Sequence, residues 1–217
     1  MQGRDIILFD LDGTLTDSKE GIFNSIRYAL KFFDIEETDD EKLSLFLGPP
    51  LVQAFMKYYQ MSEKNAELAL VKYRENFVKK GIYQLSMYDG IDQMLKTLKE
   101  NRMTVCLATS KPLKFAEQIV KRIGIAPYFD YLAGATMDET RNEKADIIDY
   151  VITQNGFHKD RILMVGDREN DVKGAHQNHV EVLGVLYGYG SRLELETAGC
   201  IHFAKTVAET KNFILQS

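Results

Sequence analysis

Short apolar runs recur along the chain and predict buried β-strands. The runs are rich in valine, isoleucine and leucine, and they lack a clean alternation of apolar and polar positions. This pattern is typical of parallel strands that helices cover on both faces of a sheet. The predicted strands are DIILFD (5–10), MTVCLA (103–108), YLAGA (131–135), ILMVG (162–166) and VLGVL (182–186).

Amphipathic helical patterns separate the strands that follow residue 90. In one of them Phe115, Ile119 and Ile123 share a helical face, and Gly124 follows as a C-terminal cap. A second pattern, EKADIIDYVITQNG, ends in the same way at Gly156. The alternation of strand and helix predicts an α/β fold with a Rossmann-like, doubly wound parallel sheet.

The stretch after the first predicted strand has a different, purely helical pattern. DSKEGIFNSIRYALKFFDI begins with Asp17 and Glu20, which we expect to cap a helix, and carries Ile22, Ile26 and Leu30 along one face. Two further amphipathic patterns, PLVQAFMKYY and AELALVKYRENFVKKG, follow it. These patterns predict an all-helical domain inserted directly after the first strand.

The inserted domain interrupts a core domain that is discontinuous in sequence. We predict that residues 17–85 form the helical cap domain and that residues 1–16 and 86–217 form the α/β core domain. Hinges are expected near Thr16–Ser18 and Tyr88–Gly90, where the pattern changes.

Composition and charge narrow the range of functions. The chain has 217 residues, is 45% hydrophobic and 27% charged, and carries a net charge of −5. These values are typical of a globular protein, and the absence of a basic block in the sequence disfavours nucleic-acid binding. No signal-peptide pattern or membrane-length apolar run occurs, so we expect no membrane association and a cytoplasmic location. Cys106 and Cys200 are expected to be reduced core residues, and no Cys/His spacing suggests zinc.

Polar side chains capable of chemistry follow the predicted strands at their carboxyl ends. In an open parallel sheet these ends meet at one edge, where ligands bind. Asp10 and Asp12 follow the first strand, and Lys144 lies near the start of the helix after the third. The other candidates, placed after the second and fourth strands, are Thr109, Ser110, Lys111, Asp167 and Asp171. We therefore expect carboxylates, a hydroxyl group and an ammonium group to converge.

Phosphoryl transfer is the chemistry that suits this combination of groups. A carboxylate that attacks a phosphate dianion needs a bridging cation, and Mg²⁺ prefers oxygen ligands such as Asp10, Asp167 and the backbone carbonyl of Asp12. Asp10 is then the nucleophile that forms an aspartyl-phosphate, and Asp12 is the general acid and base. A lysine and a hydroxyl group would hold the remaining phosphate oxygens.

Each motif alone also has a purely structural interpretation. An Asp-x-Asp pair is often a turn, Thr109–Ser110 is a plausible N-cap, and Lys144 alone would be a solvated surface lysine. In GDREND, Asp167 or Asn170 would cap a helix. Because four such coincidences in order would be required, we favour the joint site.

The quoted motifs resemble a known family. DLDGTLTDS, ATSKP, Lys144 and GDREND are similar, in order, to the four motifs of the haloacid dehalogenase superfamily, and a helical insertion after the first motif matches its smaller cap type. FLGPPLVQAF (46–55) and YDGI (88–91) resemble the phosphoglycolate-phosphatase-like branch. Many members of this branch carry GKPxP around the lysine, where this chain has TRNEKADII, so Lys111 is a competing ammonium group.

The resemblance implies a role for each candidate residue. Asp10 is implied as nucleophile and Asp12 as acid and base, with Mg²⁺ held by Asp10, the Asp12 carbonyl and Asp167. Asp171 is expected not to bind the metal directly but to interact with the site through water or through Lys144. The implied phosphate-binding residues are Thr109, Ser110 and Lys144, and Gly48 and Pro49 are implied in a cap loop that closes over the substrate.

Together these features predict a Mg²⁺-dependent phosphatase of small phosphorylated metabolites that acts as a monomer or homodimer. Phosphoglycolate is the first candidate substrate, and a 5′-nucleotide or a sugar phosphate is the alternative. A phosphomutase would use the same core residues. A response-regulator receiver is disfavoured because its phospho-acceptor follows the third strand, whereas the acids here follow the first. A catalytically idle binding protein is disfavoured because it would not need all five of Asp10, Asp12, Thr109, Lys144 and Asp167.

Overall fold

A computed structural model of the protein describes residues 4–138 and 140–216. Eight strands occur in this part of the chain: β1 (Ile6–Phe9), β2 (Thr16–Asp17), β3 (Ser86–Met87), β4 (Thr104–Pro112), β5 (Tyr131–Ala135), β6 (Ile162–Gly166), β7 (Glu181–Val185) and β8 (His202–Ala204). Six of them form one sheet, and β2 pairs with β3 in a separate small sheet.

Ten α-helices accompany the strands in the described residues. They are α1 (Lys19–Lys31), α2 (Asp40–Ser44), α3 (Leu51–Tyr59), α4 (Glu63–Lys79), α5 (Ile91–Glu100), α6 (Leu113–Arg122), α7 (Lys144–Asn155), α8 (Glu169–Gln177), α9 (Arg192–Thr197) and α10 (Val207–Leu215). Within residues 4–138 and 140–216, none of these helices has the length and apolarity needed to cross a membrane.

The chain divides into two compact units. The core unit contains the residues up to Thr16 and those from Met87 onward, and the helical unit is Asp17–Ser86. The second boundary lies one residue later than the sequence predicts, since the prediction ended the helical domain at residue 85.

The large sheet of the core unit is parallel and has the strand order β5-β4-β1-β6-β7-β8. Starting from β1, the chain builds one half of the sheet through β4 and β5, and then returns to the other side of β1 to add β6, β7 and β8. This reversal creates a topological switch point beside β1, where open α/β sheets bind ligands. The predicted α/β fold class and its five strands are confirmed.

The sixth strand, β8, was not predicted. It consists of His202, Phe203 and Ala204 and pairs with β7 at the edge of the sheet. β8 is only three residues long and only Ala204 in it is buried, so its sequence lacks the continuous apolar run that identifies the other strands of the sheet. By contrast, every residue of β1 is buried.

The predicted ends of two core helices are confirmed. α7 ends at a left-handed Gly156 with φ of 62°, and Gly124, with φ of 82°, lies two residues beyond the end of α6. Glycine adopts this backbone conformation without the steric cost that a side chain imposes.

The helical unit is built mainly from α1 packed against α4, with Ile22, Ile26 and Leu30 buried as predicted. Asp17 and Glu20 do not form the predicted capping pair, but the Asp17 side chain accepts the backbone N–H of Lys19, the first residue of α1, at 3.1 Å. Ser18 is the N-cap residue of α1, and neither Asp17 nor Glu20 forms a capping box with it. α1 begins at Lys19, so Glu20 occupies the second helical position, one short of the position from which a capping box forms.

A close approach between Gly21 and Gly81 fixes the start of α1 within the helical unit. A β-carbon on Gly21 would lie only 2.1 Å from the carbonyl oxygen of Gly81. Nearby, the Ser25 hydroxyl donates to the Gly21 carbonyl at 2.7 Å, and the Asn76 amide donates to Ser25 at 3.1 Å. The absence of a side chain at Gly21 therefore allows this packing.

We predict that Gly21→Ala destabilises the helical unit despite the higher helix propensity of alanine. Overpacking costs about 1–3 kcal/mol, and because the added carbon would lie 2.1 Å from a backbone carbonyl we expect the upper part of that range, which exceeds the gain of about 1 kcal/mol from propensity. Urea unfolding followed by far-UV circular dichroism measures the change. Lys31→Ala, at an exposed position of the same helix, is the control and should change the free energy by less than about 0.5 kcal/mol. A stabilised Gly21→Ala protein would contradict the close approach.

Candidate active site

The register of the sheet places the end of β1 level with the end of β6 and with the middle of β4. Phe9 pairs with Leu107 of β4 and Val165 of β6, and the backbone N–H of Asp10 donates to the Val165 carbonyl at 3.0 Å. Asp10 therefore leaves the sheet between its two neighbouring strands, at the switch point that the topology creates.

The loop after β1 turns back sharply on itself. The Leu11 carbonyl accepts hydrogen bonds from the backbone N–H groups of Leu15 and Thr16, both at 2.9 Å. Gly13 has φ of 86°, and a β-carbon there would lie 2.3 Å from an oxygen of Asp167. Glycine is required at this position both by its backbone conformation and by the closeness of the Asp167 carboxylate.

Lys144, at the first position of α7, lies between two buried carboxylates. Its Nζ atom is 2.9 Å from Oδ1 of Asp10 and 2.8 Å from Oδ1 of Asp171, and it donates to the Ala108 carbonyl at 2.9 Å. Lys144 is only 4% exposed. The alternative of a solvated surface lysine is therefore wrong, because its charge is balanced inside the protein.

Burial and charge act in opposite directions on Lys144. Burial alone would lower its pKa, but the charges of Asp10 and Asp171 outweigh that effect, and the pKa lies above its ordinary value. Lys144 is therefore cationic at neutral pH. It is one positive charge facing more than one carboxylate.

Asp167 and Asp171 are both fully buried and lie close to Asp10. One carboxylate oxygen from each of Asp10, Asp167 and Asp171 lies within 4.8 Å of the others. Burial, followed by the charges of Asp171 and Asp10, raises the pKa of Asp167 well above its ordinary value. Burial also raises the pKa of Asp171, against the opposing charge of Lys144. The cluster thus places three carboxyl groups beside one lysine, which could not neutralise all of them if they were ionised.

This excess of oxygen donors and negative charge fits a divalent cation. Carboxylate oxygens in a compact cluster are the ligands that hard cations prefer, and a bound cation would favour the ionised form of Asp167. Each oxygen of Asp167 accepts a hydrogen bond from the protein, Oδ1 from the Thr14 hydroxyl at 3.2 Å and Oδ2 from the Tyr189 backbone at 2.8 Å. These contacts fix the orientation of the carboxylate.

Asp12 has a different cationic partner. The Nζ atom of Lys111 lies 2.7 Å from Oδ2 of Asp12, and the Lys111 side chain is largely buried. The backbone N–H of Lys111 also donates to the hydroxyl of Thr109 at 3.2 Å. The sequence makes Lys111 and Lys144 alternatives for one role, whereas in the structure Lys111 contacts Asp12 and Lys144 contacts Asp10.

Thr109 and Ser110 lie within β4, which continues to Pro112. Thr109 is buried and Ser110 is half-buried. The alternative that they cap the following helix is wrong, because Pro112 is the N-cap residue of α6. The buried hydroxyl of Thr109 does not cap α6, so it remains a candidate phosphate ligand.

The start of α8 also differs from its structural alternative. Arg168 is the N-cap residue, and Oδ2 of Asp171 accepts its backbone N–H at 3.0 Å. Neither Asp167 nor Asn170 caps the helix. Asp171 therefore uses one oxygen to fix the backbone next to Asp167 and the other to contact Lys144.

Gly48 and Pro49 lie in the helical unit, immediately before α3, whose N-cap residue is Pro50. Gly48 has φ of 109°, which suits a tight turn between helices. Their predicted contact with a substrate stays a prediction.

The residues that sequence reasoning missed come from one loop and one strand end. Lys111 was noticed but assigned no role, and Tyr189, whose backbone holds Asp167, was not considered. The glycine pattern in LYGYG (186–190), directly after a predicted strand, was the available signal. Glycines beside a predicted active-site edge indicate close backbone approach.

Comparison with known proteins identifies a family. Residues 7–185 match the family model described as haloacid dehalogenase-like hydrolase. A 5′-nucleotidase from Pseudomonas aeruginosa is 39% identical over 208 residues, which are 96% of this chain and 94% of that protein. The crystal structure of a predicted phosphatase from Clostridium acetobutylicum superposes with a TM-score of 0.97 at 41% identity and covers 100% of both chains.

Two other relatives carry different names. The tyrosine-protein kinase PtkA from Mycobacterium tuberculosis is 35% identical over 185 residues, which are 85% of this chain but 63% of that protein. A phosphoglycolate phosphatase from Haemophilus influenzae is 27% identical over 200 residues, which are 88% of this chain and 89% of that protein.

We predict that Lys144→Met destabilises the metal-free protein by roughly 3–5 kcal/mol, because removing one partner of a buried ion pair leaves buried charge without compensation. Chemical unfolding in the presence of a chelator measures the loss. Lys173→Met is the matched control, because Lys173 forms an exposed ion pair with Glu169 and its removal should cost less than about 1 kcal/mol. Equal effects of the two substitutions would contradict the buried charge balance.

Proposed function

We propose that this chain, which belongs to the haloacid dehalogenase-like hydrolase family and is a phosphatase, hydrolyses small phosphomonoesters with Mg²⁺ through an aspartyl-phosphate on Asp10. The observation that carries the proposal is the buried cluster in which Lys144 lies 2.9 Å from Asp10 and 2.8 Å from Asp171, with Asp167 close by. Such a cluster suits a reaction in which a carboxylate must meet a phosphate dianion.

In the first step a carboxylate oxygen of Asp10 attacks phosphorus. The bond between phosphorus and the ester oxygen breaks, and its electron pair leaves with that oxygen. Lys144, in ion-pair contact with Asp10, is suited to binding the phosphoryl oxygens as they approach. Thr109 and Ser110, at the end of β4, are proposed to donate hydrogen bonds to the same group.

Asp12 is proposed to move the protons. It would give a proton to the departing ester oxygen in the first step and accept one from water in the second. That water attacks phosphorus, the bond to Asp10 breaks, and inorganic phosphate and the Asp10 carboxylate are restored. Lys111, 2.7 Å from Asp12, holds the carboxylate in position between the two steps.

Asp10, Asp167 and the backbone carbonyl of Asp12 are the groups that we propose to hold the cation. When bound, Mg²⁺ would offset the repulsion between the Asp10 carboxylate and the phosphate. Asp171, which contacts Lys144, is proposed to orient that lysine. Gly48 and Pro49 are proposed to contact the substrate, on the resemblance alone.

The relatives' names suggest which substrates to test first. Nucleoside 5′-monophosphates come first because the relative named 5′-nucleotidase is 39% identical over nearly the whole chain. Phosphoglycolate, the first candidate from the sequence, follows because the relative with that name is 27% identical. A phosphomutase would differ only in passing the phosphoryl group to a second hydroxyl rather than to water.

A panel of phosphorylated metabolites assayed with and without Mg²⁺ tests the proposal. We expect phosphate release from at least one small phosphomonoester in Mg²⁺ and loss of that activity in a chelator. Asp10→Asn should reduce turnover by at least about a thousandfold, because nucleophile loss removes the covalent route. Retained turnover by Asp10→Asn would refute its role. Sugar phosphates in the panel, analysed for transferred phosphate, separate a phosphomutase from a hydrolase.

Asp12→Asn should lower kcat by about 10²–10⁴-fold without preventing cation binding through the backbone carbonyl. The reason is that an amide cannot supply the proton that the departing oxygen needs. Activity should therefore fall least for phenols of low pKa, which leave without a proton. A series of aryl and alkyl phosphates measures this dependence. An equal loss for all leaving groups would contradict the acid role.

A further inference from the structure

The segment between β7 and α9 surrounds Asp167 with backbone. This segment, residues 186–194, contains LYGYGSRLE and joins the end of β7 to the first turns of α9. It contributes no side chain to the proposed reaction. Its residues nevertheless contact Asp167 itself, the loop after β1 and the start of α8.

The backbone of the segment touches Asp167 directly. The Tyr189 N–H donates to Oδ2 of Asp167 at 2.8 Å. A β-carbon on Gly188 would lie 2.4 Å from the β-carbon of Asp167 and 2.2 Å from the Gly13 carbonyl, and one on Gly190 would lie 1.9 Å from the Asp167 carbonyl. Only glycine at these two positions lets the chain approach so closely.

Tyr187 connects the segment to the loop after β1. Its hydroxyl donates to the Thr14 carbonyl at 3.2 Å, and its ring packs edge-to-face with Tyr88 at 5.2 Å. The Thr14 hydroxyl in turn donates to Oδ1 of Asp167 at 3.2 Å. Both carboxylate oxygens of Asp167 are thus held by groups that the segment contacts or contains.

Glu194 connects the segment to the backbone that follows Asp167. Its Oε1 atom accepts a hydrogen bond from Nε of Arg168 at 2.7 Å and another from the backbone N–H of Glu169 at 3.0 Å. The Glu169 N–H belongs to the first residue of α8 and has no partner within that helix. Charge-assisted hydrogen bonds of this kind are strong and directional.

We propose that segment 186–194 is a positioning element for cation binding, with Glu194 as its principal side chain. Glu194 holds Arg168 and Glu169, which follow Asp167 in the chain. Tyr189 and Thr14 hold the two oxygens of the Asp167 carboxylate itself. The inference rests on the proposed function in one respect, namely that Asp167 binds the cation. Mutation of a group that hydrogen-bonds to metal ligands typically lowers metal affinity by about 10–100-fold.

Direct titration with Mn²⁺, followed by electron paramagnetic resonance of the free ion, tests the inference without an activity assay. Glu194→Ala should raise the Mn²⁺ dissociation constant by about tenfold. Glu196→Ala is the matched control, because Glu196 lies on the same helix in an exposed ion pair with Arg192, and it should leave the constant unchanged. Unchanged Mn²⁺ binding in Glu194→Ala would overturn the inference.

A conservative variant separates positioning from a simple change of charge. Glu194→Gln removes the charge but keeps a carbonyl oxygen that can accept the Glu169 N–H. Positioning predicts that Glu194→Gln binds Mn²⁺ more tightly than Glu194→Ala does, whereas equal weakening in both variants would overturn the positioning role. In activity assays, Glu194→Ala should need more Mg²⁺ for half-maximal rate, while kcat at saturating Mg²⁺ stays near the parent value.

A second site keeps the inference testable if Glu194→Ala does not fold, as judged by circular dichroism. Tyr187→Phe removes only the hydroxyl that donates to Thr14 and should also weaken Mn²⁺ binding several-fold; unchanged binding would count against the inference. Parent protein that binds Mn²⁺ but hydrolyses no phosphomonoester would refute the proposed function and leave this inference standing. Parent protein that binds no Mn²⁺ would overturn the inference itself.

Discussion

The structure of the core unit depends on the charge balance around Lys144. One buried ammonium group contacts Asp10 and Asp171, and Asp167 adds a further carboxylate within the same cluster. Burying these groups is costly, and the ion pairs only partly offset the cost. A sequence selected for stability alone would not keep three carboxylates there. In the proposed function a cation completes the cluster, and the stability cost of the buried carboxylates is then accepted for function.

The parallel sheet supplies the geometry that this charge cluster needs. β1 lies between β4 and β6, so the groups after these strands emerge side by side at the switch point. Close packing behind them depends on small residues. A β-carbon on Gly166 would lie 2.3 Å from the Asp171 carboxylate, and one on Gly174 would lie 2.9 Å from the Lys144 side chain. The carboxylates and lysine therefore occupy space that side chains at these positions would take.

The sequence was most informative where one physical cause dominates a stretch. Continuous apolar runs identified the four inner strands and the edge strand β5, whereas the three-residue edge strand β8 has no such run. Strand ends identified Asp10, Thr109 and Asp167 because topology alone determines where they lie. The contact of Tyr189 with Asp167 could not be predicted in this way. It is made by the backbone N–H, which every residue except proline carries, so the residue type at position 189 does not reveal it. The start of α1 was misplaced because one residue decides whether Glu20 can cap it.

The two aspartates of the first motif differ in their surroundings more than in their sequence positions. Asp10 shares its lysine with Asp171 and lies in the buried cluster, while Asp12 is more exposed and has Lys111 as a separate partner. In the proposed mechanism Asp10 attacks phosphorus and must be held in a fixed position, and its contact with Lys144 holds it there. A carboxylate that exchanges protons with a leaving group and with water must be reachable by both, which suits the partial exposure of Asp12. The proposed division of roles thus matches two different surroundings, because Asp10 and Asp12 contact different lysines.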